Sequence, residues 1–281
     1  MGTTRYGENL VLRLGDNEEA LDREYRVLER LGSTAIPVPK AYETGRDMLG
    51  SFFIIMEKVE GQSLVERVTA GIAAAELAEI LRQLSETLAD IHQLDWGRAG
   101  FGLPSPPVGE YGFVEYVLSY YREREWSKQI ESLGLTLLFD WLDEHKQPSD
   151  GYVLLHGDYH PANALVRDGK LVAVVDWDDA LVGDAAYDVP QVPLFLKVVH
   201  ILSGGRLGDL SEVFLKGYRS AARKELKNLD YYSIVKAAQS LIFFSSAPAV
   251  GEEFRAAMVQ TCVEQIEEMT GLTLPSSLTG L

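Results

Sequence analysis

The most chemically suggestive segment of the 281-residue chain is His156-Gly157-Asp158-Tyr159-His160-Pro161-Ala162-Asn163, followed thirteen residues later by Asp176. An acid and an amide five positions apart, with a second acid at the end of an apolar run, can do a definite kind of work. Asp158 could orient and deprotonate a hydroxyl as a catalytic base. Asn163 and Asp176 offer hard oxygen ligands for the Mg²⁺ ions that neutralise a triphosphate. Phosphoryl transfer needs both functions. His156 and His160 flank Asp158, and a metal hydrolase could use such a pair. Zinc sites take three protein ligands, however, and no His-Glu-x-x-His or further histidine cluster accompanies these two. His156 is expected to pack, and His160 to lie near an acceptor or to fix the loop.

A second constellation lies near the N-terminus. Glu24 shares a helical face with Leu21, Leu28 and Leu31, by spacings of three, four and seven. A carboxylate on an apolar stripe is costly to bury alone, and Arg13 on the preceding apolar run is its natural partner. Read in isolation, the two could equally be a surface ion pair worth little.

The segments HGDYHPANALV at 156–166 and VVDWDDALVGDAAYDV at 174–189 resemble the signature of the aminoglycoside phosphotransferases and of their relatives among choline, homoserine and macrolide kinases. The resemblance is close over residues 152–190 and weaker over nearly all of the rest. It implies an α+β, bilobal protein-kinase-like fold, with a small β-rich N-terminal lobe at 1–58 and a larger, mainly helical lobe at 59–281. It also implies Mg²⁺ and a nucleoside triphosphate, ATP or GTP, as phosphoryl donor. In kinases a strand lysine pairs with a helix glutamate and holds the α- and β-phosphates, and Arg13 with Glu24 matches that pair. Met56-Glu57-Lys58-Val59 resembles the hinge between the lobes. The Glu57 carbonyl and Val59 amide would then bond the base, with Met56 beside the ring.

Two departures from protein kinases point to a small acceptor. Gly157 stands where those enzymes have the Arg that grips a phosphorylated activation loop, and Asp176-Trp177-Asp178 replaces Asp-Phe-Gly with no Ala-Pro-Glu following. A third departure concerns the N-terminus. The family has a strand-loop-strand that covers the phosphates before the Arg-bearing strand. Here only residues 1–8 come first, with single glycines at Gly2 and Gly7. Either the true start lies upstream or the N-terminal lobe is abridged, and a catalytically impaired kinase-fold binding protein stands as the alternative reading. Asp184 and Asp188 resemble the family's tail motif, with Asp188 expected to brace the catalytic loop or cap the following helix, and substrate binding as the alternative. Asp178 and Asp179 could touch an amine of the acceptor.

These residues need elements to position them. Leu10, Leu12 and Leu14 alternate with Val11 and Arg13, the period of a strand. Asp16 and Glu19 form a capping-box pattern opening a helix to about Leu31, and Pro37-Val38-Pro39 should stop it. Residues 51–57 predict a second strand, so the first sixty residues are expected as strand, helix, strand. Apolar residues at helical spacing predict a long core helix over 72–91. The Gly- and Pro-rich stretch Phe101–Gly112 reads as a loop. Helices are expected at 113–126 and 133–145, short strands at 152–155, 164–166 and 171–175, and four helices beyond Val189. Tyr116, Tyr120, Tyr121 and Trp126 are expected to pack helices together.

Composition narrows the partners. The hydrophobic share of 46% and charged share of 24% are those of a globular protein. A net charge of −16 repels nucleic-acid phosphates and anionic membrane surfaces, and it favours a cationic small-molecule acceptor such as an amino sugar. Solvated helix faces would account for the same charge. One cysteine, Cys262, cannot form an internal disulfide, which with no membrane span or signal peptide predicts a cytoplasmic protein.

Overall fold

The computed structural model describes residues 2–3, 9–99, 102–104, 106, 109–123, 126–245 and 251–278. Strands β1 (Gly2–Thr3) and β2 (Asn9–Gly15) precede helix α1 (Glu18–Leu31), strands β3 (Ala41–Arg46), β4 (Phe52–Glu57) and β5 (Gln62–Ser63), and helices α2 (Leu64–Thr69) and α3 (Ala74–His92). Next come α4 (Trp96–Ala99), α5 (Gly112–Glu123), α6 (Trp126–Ser132) and α7 (Thr136–Glu144). Strands β6 (Val153–Leu155), β7 (Ala164–Arg167), β8 (Lys170–Val174) and β9 (Leu181–Gly183) follow, and then α8 (Gln191–Leu202), α9 (Ser211–Ala222), α10 (Leu229–Ser245) and α11 (Glu252–Thr270). The chain divides into two compact units. One gathers residues 1–104, 153–182 and 216–223, and the other residues 105–152, 183–215 and 224–281.

The first unit carries every residue singled out above for chemistry. Its main sheet has the antiparallel order β1-β2-β4-β3. Val11 pairs with Met56 and Arg13 with Ile54, and directly opposed residues share a face of the sheet. Ile54 and Met56 are buried, so Arg13 is carried on the covered face. Leu12 and Leu14 consequently point the other way and are 58% and 56% exposed. The strand period expected for residues 8–14 is present, but its leucines line the open face. What selects the register is the arginine's inward partner rather than leucine burial.

Helix α1 buries Leu21, Glu24, Val27, Leu28 and Leu31, the stripe anticipated from spacing. Its N-cap is Asn17, one residue beyond the expected Asp16: the Asn17 side chain accepts from the Ala20 amide at 3.2 Å. We expect Asn17→Ala to cost about 1 kcal/mol, read as a lower urea midpoint, while Asp16→Ala costs little. The helix also ends earlier than the prolines. Gly32 donates to Leu28, and the Ser33 and Thr34 hydroxyls cap the Arg30 and Leu31 carbonyls. Pro37 serves a different purpose, accepting the Val174 amide at 2.8 Å and tying this segment to the end of β8. Strand β3 was absent from the sequence expectation, because AYETGR has neither alternation nor an apolar run.

Strands β5, β7 and β8 form a second sheet in that order, closed between β7 and β8 by Asp168-Gly169, both at positive φ, and β6 pairs with β9. Asp-Gly at such a hairpin is the favoured turn pair. Helix α3 supplies the buried Leu77, Ile80, Leu81, Leu84 and Leu88 and packs on β6 and β8. In the second unit α11 lies against α8 and α10. Rings of Tyr120, Tyr121, Trp126 and Phe139 contact one another edge-on or tilted, joining α5, α6 and α7 as expected of that aromatic group. Asp184 works structurally there: it accepts from the Asp150 and Ala186 amides and from Asn228. Pro190 occupies the N-cap of α8 and makes no side-chain cap bond itself. No helix among the described residues is long and apolar enough to cross a membrane. Residues 4–8, and parts of the expected Phe101–Gly112 loop, lie outside the described residues.

Candidate active site

The segment after β6 is held by its own side chains. His156 is fully buried, and its Nδ1 accepts the Asp158 amide at 3.3 Å. That leaves the ring proton on Nε2, which donates to the Val175 carbonyl at 3.0 Å. The Trp177 ring lies 4.4 Å from the imidazole, and the Tyr159 hydroxyl bonds the Leu84 carbonyl of α3 at 2.7 Å. His156 therefore packs and pins, and a metal-ligand role for it falls away.

His160 shows the same logic aimed at the acid. Its Nδ1 accepts the Ala162 amide at 3.2 Å, so its Nε2 carries the proton and donates to Asp158 Oδ2 at 3.0 Å. Asn163 Nδ2 adds bonds to the same oxygen at 3.2 Å and to the Asp158 carbonyl at 2.9 Å. Two side-chain donors thus fix the carboxylate's rotation. With its nitrogen committed to Asp158, the Asn163 amide has its oxygen left to offer a cation. The loop is joined to the next strand end, since the Asn163 carbonyl accepts the Val175 amide at 3.0 Å.

Asp176 follows directly, with φ at +69°, a conformation that a non-glycine residue keeps only when its surroundings enforce it. Arg13 is the group that meets it. Arg13 Nη1 lies 2.8 Å from Glu24 and 2.6 Å from Asp176, and Nη2 lies 2.8 Å from Asp178. Arg23 donates to the Asp178 carbonyl at 2.7 Å. The arginine predicted to pair with Glu24 does so, and the contact is no surface pair: Glu24 is 1% exposed, with Oε2 lacking a hydrogen-bond partner among the described residues.

Burial, reinforced by Asp176 and Asp178 and opposed by Arg13, pushes the Glu24 carboxyl up to about 7. Burial also raises Asp178, to about 6, helped by Asp176 and Asp179 against Arg13. For Glu24 the sign of the linkage is clear. Between the ordinary carboxylate range and about 7 the folded state holds a proton that the unfolded chain has released, so stability falls as pH rises through that window. Glu24→Gln is expected to flatten this part of the profile. Urea midpoints from about pH 5 to about pH 8 would test it, and an unchanged slope would count against the assignment.

Met56 is buried beside Val11 on the covered sheet face. The Glu57 amide bonds the Lys40 carbonyl at 2.8 Å, and its carboxylate accepts the Lys40 amide. The Val59 amide makes no hydrogen bond among the described residues. Asp158, Asn163, Asp176, Arg13 and Glu24 are thus joined through side chains or one backbone bond. Met56, Glu57 and Val59 sit apart from them, at the end of β4. Sequence reasoning missed Arg23 altogether and offered Asp178 an acceptor amine rather than a partner within the chain. Its one usable signal was a second acid two residues after Asp176, on the side where an arginine was already expected.

Does the donor set suit Mg²⁺? No three His, Cys, Asp or Glu side chains among the described residues form a metal cage. Mg²⁺ does not ask for one, since it binds through one or two protein oxygens plus phosphate and water. Among the described residues Arg13 is the one cation in ion-pair reach of the carboxylates of Glu24, Asp176 and Asp178, which leaves negative charge for a cation to meet. The residues fit.

Residues 2–227 match the phosphotransferase enzyme family known as APH. The chain belongs to this family. Its fold is that of aminoglycoside phosphotransferases, α+β and protein-kinase-like. A ternary complex of a thermostable aminoglycoside phosphotransferase APH(4)-Ia variant with AMP-PNP and hygromycin B superimposes with a TM-score of 0.66 at 18% identity, covering 95% of this chain and 88% of that one. Among curated relatives, Escherichia coli hygromycin-B 4-O-kinase is 23% identical over 66% of this chain and 56% of its own length. The Rattus norvegicus protein named acyl-CoA dehydrogenase family member 11 is 30% identical over 62% of this chain. That match spans 23% of the rat protein's length.

Proposed function

We propose that the protein transfers the γ-phosphoryl group of ATP or GTP to a hydroxyl of a small molecule, either aminoglycoside-like or another amine-bearing alcohol. The observation that carries this reading is the fixed Asp158 carboxylate, oriented by His160 and Asn163 and tied by backbone to the Asp176 segment. Asp158 takes the proton of the acceptor hydroxyl as its oxygen bonds to phosphorus and the bond to the leaving nucleoside diphosphate breaks. Arg13, braced by Glu24, donates to the donor phosphates. Met56, Glu57 and Val59 hold the nucleobase where the two lobes meet, residues 1–58 act as the nucleotide lobe, and residues 59–281 supply the catalytic carboxylate and the acceptor site. Asn163 and Asp176 would hold Mg²⁺, which when bound supplies charge neutralisation at the triphosphate. Family membership, and hygromycin B and AMP-PNP in a neighbour of the same fold, support the class of acceptor and donor. The strongly acidic surface suits a cationic acceptor, and a reducing, cytoplasmic setting suits the buried free thiol of Cys262.

Two measurements decide the matter. Mg-ATP or Mg-GTP is expected to raise the melting temperature, and a nucleotide-consumption screen over aminoglycosides, macrolides and small amino alcohols is expected to yield a phosphorylated product. Stabilisation without turnover on any acceptor would favour a kinase-fold binding protein. No response to either nucleotide would sink the reading.

A further inference from the structure

Arg13 is the cation around which the centre is organised, and its hydrogen count decides what it can do. Nη1 spends its two N–H groups on Glu24 at 2.8 Å and on Asp176 at 2.6 Å. Nη2 spends one on Asp178 at 2.8 Å. Asp178 is steadied in turn, because Arg23 on α1 donates to its main-chain carbonyl at 2.7 Å. Glu24 and Asp178 therefore grip different nitrogens of one planar fork. Asp176 is the partner that Arg13 can give up while both nitrogens stay anchored.

We propose, on the phosphotransferase reading above, that Asp178 is a positioning residue for the donor phosphates: with Glu24 it pins the Arg13 fork, so that a cation claiming Asp176 frees an Nη1 N–H for a phosphate oxygen. Until then Arg13 is the internal counter-ion of Asp176. Cation and nucleotide then bind as a coupled pair, each making room for the other. The arrangement also explains an arginine where kinases use lysine. Three carboxylates reached from two separate nitrogens match a guanidinium, whereas an ammonium gathers its donors on one atom. Asp178 thereby belongs to the donor side of the reaction and not to an acceptor amine.

Calorimetric titration of Mg-ATP and Mg-GTP into the wild type, Asp178→Ala and Asp178→Asn tests this. Losing a charge-assisted hydrogen bond that positions Arg13 is expected to weaken nucleotide binding about tenfold in Asp178→Ala, with the kinetic loss falling on KM for the nucleotide more than on kcat. Asp178→Asn keeps an acceptor oxygen, so it should lose less and remains readable if the alanine variant does not fold. In an Arg13→Met, Glu24→Gln background, which removes the buried pair together, Asp178→Ala should change nucleotide affinity less than twofold. Affinity and KM within twofold of wild type in Asp178→Ala, or an equal loss in both backgrounds, would overturn the proposal. Mn²⁺ titrated alone separates this idea from the reading beneath it. Without its counter-ion Asp176 should bind Mn²⁺ about tenfold tighter in the Arg13→Met, Glu24→Gln variant, whether or not any nucleotide binds. Unchanged or weaker Mn²⁺ binding there rejects the counter-ion role, while a wild type that ignores both nucleotides rejects the phosphotransferase reading.

Discussion

Asp158→Asn is expected to lower turnover by about 10²–10⁴-fold, the range that a positioned general base contributes, while the fold and the nucleotide site persist. The substitution is chosen for what it preserves. An asparagine of the same shape can present its carbonyl oxygen to His160 Nε2 and Asn163 Nδ2, which now donate to Oδ2 at 3.0 and 3.2 Å. The loop therefore keeps its internal bonds, and the side chain loses the charge and the basicity. Asp158→Ala would remove the oxygen that both donors share and confuse loss of the base with loss of the loop. Steady-state kinetics should show kcat falling with KM for the nucleotide nearly constant, the pattern of an interaction made in the transition state. Thermal shifts with Mg-nucleotide should match wild type. A variant that keeps turnover within about threefold would remove Asp158 from the base role. His160→Ala offers a graded companion, since it deletes one of the two donors that fix the carboxylate's rotation.

Much of this centre could be read in the sequence because its spacing is local. Asp158 and Asn163 lie within one loop, and Glu24 announces itself as a carboxylate on an apolar helical stripe. The Arg13–Glu24 contact follows from strand and helix being consecutive, their positions eleven apart in the chain. Contacts that depend on distant chain segments were not legible. The Arg13–Asp178 bond spans 165 residues and the Arg23–Asp178 bond 155, and no local pattern encodes either. Elements whose reason for existing is a neighbour were lost in the same way. Strand β3 forms because β4 offers it a ladder, although Ala41–Arg46 has no strand pattern of its own. The leucines of β2 show a second limit of a local pattern. Alternation revealed the strand, but which face is covered was set by Arg13 reaching Glu24, leaving Leu12 and Leu14 outward. Even the helix cap moved by one residue, because Asp16 and Asn17 are both competent and only backbone geometry chooses between them.

Gly157→Ala should be the most damaging single-methyl change in the molecule's catalytic loop. Gly157 has φ at +86°, where an L-residue pays about 1–2 kcal/mol, and a Cβ there would sit 2.3 Å from the Asp179 carbonyl oxygen and 2.9 Å from its carbon. The obstacle is backbone, so no rotamer can relieve it. Something must shift, and the two segments in contact are the ones that carry Asp158 and Asp178. Strain and overlap together are expected to cost roughly 3–5 kcal/mol, or a fall of about 6–15 °C in melting temperature, with turnover lost even below the transition. Gly50→Ala provides the control, since Gly50 has a similar φ of +90° but nothing within 4 Å of the added carbon. It should lose only the strain term, about 1–2 kcal/mol. The difference between the two variants isolates the packing of the Asp158 loop against Asp179. It also gives the physical reason why the arginine of the protein-kinase motif has no counterpart here: this position closes on a carbonyl before any side chain begins. Equal melting temperatures for the two variants would show that the loops are not in contact as described.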